Sequence, residues 1–61
     1  MNLKNSVQVK ALYDYTATGT PNSKGELDMS FKKGDIMKIL EERPGSAWVK
    51  AKLNKQEGMV S

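Results

Sequence analysis

The chain contains neither cysteine nor histidine. Without thiols there is no disulfide framework and no thiolate metal site, and without imidazole a zinc centre has almost nothing to bind it. No cofactor and no metal is therefore expected. The same absences remove the usual nucleophile and general base, the lysines fall on alternating, solvated faces, and Gly19 and Gly25 lack both the spacing and the Lys-Ser/Thr ending of a phosphate-binding loop. An enzyme is not expected. No apolar run approaches the roughly 20 residues of a membrane span, and the opening MNLKNS has no apolar signal core. Membrane insertion is not expected, and the lack of cysteine points to a reducing, cytoplasmic setting. Charge of one sign is also in short supply. Ten lysines and arginines against seven acids leave a net +3, a mild bias and not the basic stripe of a nucleic-acid-binding protein. Sixty-one residues make one domain, and a chain of this size buries only about 60% of the surface its unfolded form exposes. Aromatic residues are few as well, one tryptophan, one phenylalanine and two tyrosines, so their positions carry weight.

What is present alternates. VQVKAL (7–12) places Val7, Val9 and Ala11 on one face and Gln8 and Lys10 on the other, the pattern of a half-buried strand. Residues 1–6 are expected to form a flexible extension and 7–61 the folded domain. From Thr16 to Ser30 the composition shifts to Thr, Gly, Pro, Asn and Ser, which suits a long excursion; loops of that length are usually functional or disordered. FKKGD (31–35) reads as a turn in which Gly34 supplies a positive φ, leading into DIMKIL, a strand with apolar residues on both faces. EERPGSA (41–47) is a loop broken by Pro44 and Gly45, WVKAKL (48–53) returns to strict alternation, and NKQEG (54–58) is a hairpin turn into MVS. Short strands with no helical periodicity predict an all-β barrel or sandwich.

Parity within WVKAKL puts Val49, Ala51 and Leu53 on one face, so Trp48 lies on the other beside Lys50 and Lys52 and is predicted to face water as a contact surface. The tyrosines follow a different rule. Continuing the parity of Val7, Val9 and Ala11 would turn Tyr13 and Tyr15 inward, and periodicity alone leaves open whether the chain bends outward there.

ALYDY (11–15), then LDMSFKKGDIMKIL (27–40), then Trp48 with Ala51 after it, then Gly58, stand in an order and spacing that resembles a Src homology 3 (SH3) domain from about Val7 to Val60. The resemblance implies a small five-stranded barrel of two packed antiparallel sheets, with an RT loop at 13–30, an n-Src loop at 42–46 and a distal hairpin at 54–57. It implies that the strand bends outward after Ala11, so that Tyr13, Tyr15 and Trp48 line a groove for proline-rich (PxxP) segments of other proteins. A polyproline II helix suits such a groove because it is rigid, has three residues per turn and loses little entropy on docking. Glu26 and Asp28 occupy the acidic RT-loop region, where they would pair with a basic residue flanking the ligand's proline core. Val9, Ala11, Met29, Phe31, Ile36, Ile39, Ala51 and Val60 are the implied core.

Three positions depart from the pattern. The segment between Tyr15 and Asp28 is longer than usual, with GTPNSKG the surplus and Lys24 opposing the acidic character. Val49 stands where a second aromatic often follows the tryptophan. Ser61 falls where the family's closing P-x-N-Y begins, so the last strand, which would pair with 7–12, is expected to be missing or supplied by another chain. Self-association through that unpaired edge, or a fragment that binds no peptide until completed, is one alternative. Another is a nucleic-acid-binding barrel in which Trp48 and a tyrosine stack on bases while Lys50, Lys52 and Lys55 contact phosphates. Glu26, Asp28, Glu41 and Glu42 would crowd that surface with negative charge, so nucleic acid is not the expected partner.

Overall fold

In a computed structural model of the protein, described for residues 7–61, four strands form one antiparallel sheet in chain order: β1 (Val7–Lys10), β2 (Ile36–Glu41), β3 (Val49–Leu53) and β4 (Gln56–Val60). The expected extension 1–6 lies outside the described residues. The class is all-β, as expected, and the regular strands among the described residues are four in a single sheet, with no fifth strand among them. The long segment 11–35 provides the opposing layer. It doubles back on itself, with Tyr15 N donating to Phe31 O at 2.8 Å and Phe31 N to Tyr15 O at 3.0 Å. Its returning limb runs alongside β4, where Met29 N donates to Met59 O and Met59 N to Leu27 O, both at 3.0 Å.

Between these layers sits the core: Ala11, Met29 and Phe31 from the long segment, Met37, Ala51 and Val60 from the sheet, with Tyr15, Ile39, Val49 and Leu53 packed against them. Two of the implied core residues are elsewhere. In the β1–β2 ladder Val7 faces Ile39, Val9 faces Met37 and Lys10 faces Ile36. Side chains alternate along a strand, so Ile36 and Ile39, three apart, cannot share a face. Met37 goes inside, at 3% exposure, and Ile36 is left half exposed. Val9 shares the core side by register yet is 38% exposed, because β1 is an edge strand paired only with β2 among the described residues.

The expected strand 7–12 ends two residues early. Ala11 leaves the ladder to pair with the turn, donating to Asp35 O and accepting from Gly34 N, each at 2.8 Å, and Leu12 points into solvent. Gly34 holds the positive φ, 93°, that this turn requires. The β3–β4 hairpin turns on Asn54 and Lys55 alone, closed by the Leu53–Gln56 pair, so β4 starts earlier than the expected turn through Gly58. Gly58 instead lies within β4 opposite Ala51, on the core face. A Cβ there would stand 2.6 Å from Met29 Cβ, so only glycine lets the returning limb cross β4 this closely.

Between β2 and β3 the register shifts: Ile39 faces Ala51 but Glu41 faces Lys50, leaving Leu40 as the extra residue of a bulge. Without it Leu40 would stand opposite Lys50. With it Glu41 does, at the entrance to the loop that carries Arg43.

Candidate functional site

The returning limb, the β2–β3 loop and β4 enclose an open cleft of about 370 Å³. Tyr15 and Trp48 form its aromatic wall, ring centroids 6.2 Å apart and edge to face at 72°. Met59 belongs to the same lining. It follows from strand alternation: Val60 points into the core, so its neighbour Met59 points to the opposite side of β4, where Trp48 also lies. The tryptophan is half-buried. Parity placed it away from Val49, Ala51 and Leu53 correctly, but its packing against Tyr15 keeps it from facing water outright.

Tyr15 belongs to a row of rings. It stacks on Phe31 at 5.6 Å and 24°, and Phe31 also meets Tyr13 at 5.8 Å and 48°. Tyr13 is thus one ring removed from the cleft and does not line it. It is 53% exposed, borders a separate apolar depression with Leu12 and Val60, and its hydroxyl donates to Ser61 O at 3.3 Å. Of the residues singled out in the sequence, the fold brings Tyr15, Glu26, Asp28 and Trp48 into one cleft and leaves Tyr13 beside it.

Both acids of the cleft are engaged within the protein. Asp28 accepts from the Tyr15 hydroxyl at 2.5 Å, from Thr18 N at 2.9 Å and the Thr18 hydroxyl at 3.1 Å on Oδ2, and from Gly19 N at 3.3 Å on Oδ1. These donors, Tyr15 first, hold its carboxyl down to about 2, and the same carboxylate pushes the Tyr15 phenol up. Asp28 therefore fastens the outgoing limb of the long segment to the returning one. Glu26 takes both terminal nitrogens of Arg43, at 2.6 and 2.7 Å, in a two-pronged pair. The Asn22 side-chain amide adds a third donor at 3.0 Å. Arg43, with Asn22 helping, lowers Glu26 to about 2. One nitrogen of Arg43 also reaches Glu41 at 3.0 Å, which lowers that carboxyl too, while Glu26 first and then Glu41 raise the guanidinium further above its ordinary value.

Sequence reasoning passed over Thr18, Asn22, Arg43 and Met59. Asn22 had a signal. In PNSKG its side-chain oxygen accepts from Lys24 N and Glu26 N, each at 2.9 Å, and its main chain exchanges bonds with Gly25 and Glu26, an Asx-type turn that Pro-Asn-x-x-Gly favours. The surplus of the long segment is thereby a tight turn. Arg43 had none, because its partner is 17 residues away.

The cleft thus offers a ring-walled apolar slot with a polar rim of Thr18, Thr20, Asn22 and Ser46, a shape for holding a stiff, largely apolar chain. No solved structure gives a significant match to this chain. The family model for the SH3 domain matches residues 10–60. The outward turn after Ala11, the doubled-back segment over the sheet and the tryptophan just before β3 agree with that match, and the chain belongs to the SH3 domain family, whose members are generally protein-interaction modules that bind proline-rich segments.

Proposed function

We propose that the cleft between the long segment and the β2–β3 loop binds proline-rich segments of other proteins, with Tyr15 and Trp48 as the aromatic wall against which a polyproline II ridge seats. The carrying observation is the edge-to-face pair of Tyr15 and Trp48 at 6.2 Å across an open cleft. A rigid, hydrogen-bond-free helix of three residues per turn presents its pyrrolidine rings to such a pair at little entropic cost. Tyr13 extends the ring row beyond Phe31 and would serve the ligand's far end. Asp28 acts by holding Tyr15 and residues 18–19 in place, and Glu26 forms the acidic end of the slot together with its partner Arg43.

The test is a heteronuclear NMR titration with proline-rich peptides of both chain directions, repeated on Trp48→Ala. Aromatic anchors of interfaces commonly cost about 2 kcal/mol or more on truncation, which is a Kd at least ~30-fold weaker. A folded Trp48→Ala protein that binds as the parent does would refute the assignment. Binding should weaken only modestly with salt, whereas a phosphate-contacting partner would be lost steeply.

A second reading concerns association. The outer edge of β1 has no ladder partner among the described residues, and Val7 and Val9 are both partly exposed there. Such an edge invites strand addition by a second copy. Sedimentation across a concentration series tests it, with Val9→Lys expected to keep the protein monomeric.

A further inference from the structure

The seat between the two loops already holds a guanidinium, and it is the protein's own. Arg43 and Glu26 are largely buried, their side chains 20% and 23% exposed. Both Glu26 oxygens are used by Arg43, one of them also by Asn22, and both Asp28 oxygens are used by Tyr15, Thr18 and Gly19. Both carboxylates that line the cleft are thus taken; Glu41, beside it, keeps one oxygen without a partner among the described residues, but its side chain is half exposed, where an ion pair contributes little.

We propose that Arg43 is a built-in occupant of the place that a ligand's basic residue would otherwise take, so that the domain selects its peptides on their proline core and not on a flanking arginine. This inference rests on the peptide-binding reading given above. The physical reason is exchange without gain. An incoming arginine reaches Glu26 only by displacing a two-pronged pair of the same chemistry, and the displaced guanidinium must find new partners. Arg43 is tethered a few residues from β2, so its effective concentration at Glu26 is millimolar or above, whereas a peptide's arginine arrives at the concentration of the peptide. With Arg43 removed, Glu26 keeps only the Asn22 amide and Glu41 loses its partner, so the seat becomes a site for an external guanidinium.

The experiment compares the parent with Arg43→Gln, using proline-rich peptides that differ by one flanking arginine and, separately, argininamide alone as the probe. The parent is expected to bind the two peptides within about twofold and to give no saturable shift of the Asn22 and Glu26 amides with argininamide. Arg43→Gln is expected to favour the arginine-bearing peptide by roughly five- to tenfold, to bind argininamide at those amides, and to lose both on adding Glu26→Gln. Should Arg43→Gln lose its dispersed spectrum, Arg43→Lys carries the same comparison, because it keeps the charge but cannot fork across both oxygens. A parent that already prefers the arginine-bearing peptide tenfold, or a folded Arg43 variant that shows neither the preference nor argininamide binding, overturns the proposal. If no peptide binds any of the proteins, the peptide reading of the cleft fails, and the argininamide titration still decides who occupies the seat.

Discussion

Replacing Gly58 by alanine puts the close crossing of β4 and the returning limb to a quantitative test. The new Cβ would lie 2.6 Å from Met29 Cβ and 3.3 Å from both Leu27 O and Met29 Cα, where carbon atoms prefer about 3.5–4.0 Å. None of these atoms is the free end of a flexible side chain, so relief requires moving the backbone of residues 27–29 by about an ångström. Overpacking of this kind costs about 1–3 kcal/mol. The shift also strains the two hydrogen bonds to Met59, each worth about 1 kcal/mol net, while alanine recovers about 0.5–1 kcal/mol of the entropy that glycine loses in a strand. A net loss of about 2–3 kcal/mol is expected. For a domain of this size that lowers Tm by about 10–20 °C, read by circular dichroism or urea denaturation. Asp28 lies between the two displaced residues, so peptide affinity should fall in parallel as its bond to Tyr15 is pulled. Gln56→Ala, an exposed site on the same strand, is the control and should stay within about 0.5 kcal/mol of the parent. A Gly58→Ala protein melting within about 2 °C of the parent would show that the crossing is not this tight.

Asp28→Asn should weaken proline-rich peptides with and without a flanking arginine by similar factors, roughly three- to tenfold, because the carboxylate acts on Tyr15 and residues 18–19; calorimetric titration of both peptide types checks this, and a loss confined to arginine-bearing peptides would return Asp28 to direct ligand contact. Stability should also fall in acid. Glu26 and Asp28 have folded values near 2 against about 4.3 and 3.9 when unfolded, so their contribution is fully present above about pH 5 and is lost as pH drops toward 2. Tm measured across that window should decline, and less steeply in Glu26→Gln; a Tm flat from pH 5 to 2 contradicts the assigned bonds. The β2 register predicts an asymmetry between neighbours: Met37→Ala should cost about 2–5 kcal/mol and Ile36→Ala under about 1 kcal/mol, and equal losses by denaturant titration would mean the register is wrong.

What the sequence disclosed was local. Alternation in VKAKL, the glycine of FKKGD and the Asn-Lys pair after Leu53 each specify their element within a few residues, and the β3–β4 hairpin and the Gly34 turn formed where those signals stand. Ala11, Met29, Phe31, Ala51 and Val60 went to the core together. Choosing between Ile36 and Met37 was a different problem, since both are apolar and only pairing with β1 sets the phase. The bulge at Leu40 has no local signature either, yet it decides which residue stands opposite Lys50. Tyr13 and Tyr15 share one parity but line different depressions, a separation that backbone period does not announce. Arg43 sits in a stretch that reads as a loop, and nothing near it in the chain announces Glu26.

The three methionines of the described fold, Met29, Met37 and Met59, are exposed by only 3 to 4%. In a chain without cysteine, the thioethers are the only sulfurs open to oxidation. Peroxide cannot reach Met29 and Met37 while the sheet and the long segment stay closed, so the rate at which their sulfoxides accumulate by mass spectrometry reports how often the layers part. Each event is also one-way. A sulfoxide is polar and bulky at a site shaped for a flexible apolar chain, so a molecule oxidised while open cannot repack as before. Met37, under the centre of the sheet, would register opening of the whole domain. Met59 lies in the lining of the cleft instead, so a peptide bound there should cover it and slow its oxidation while leaving that of Met37 unchanged.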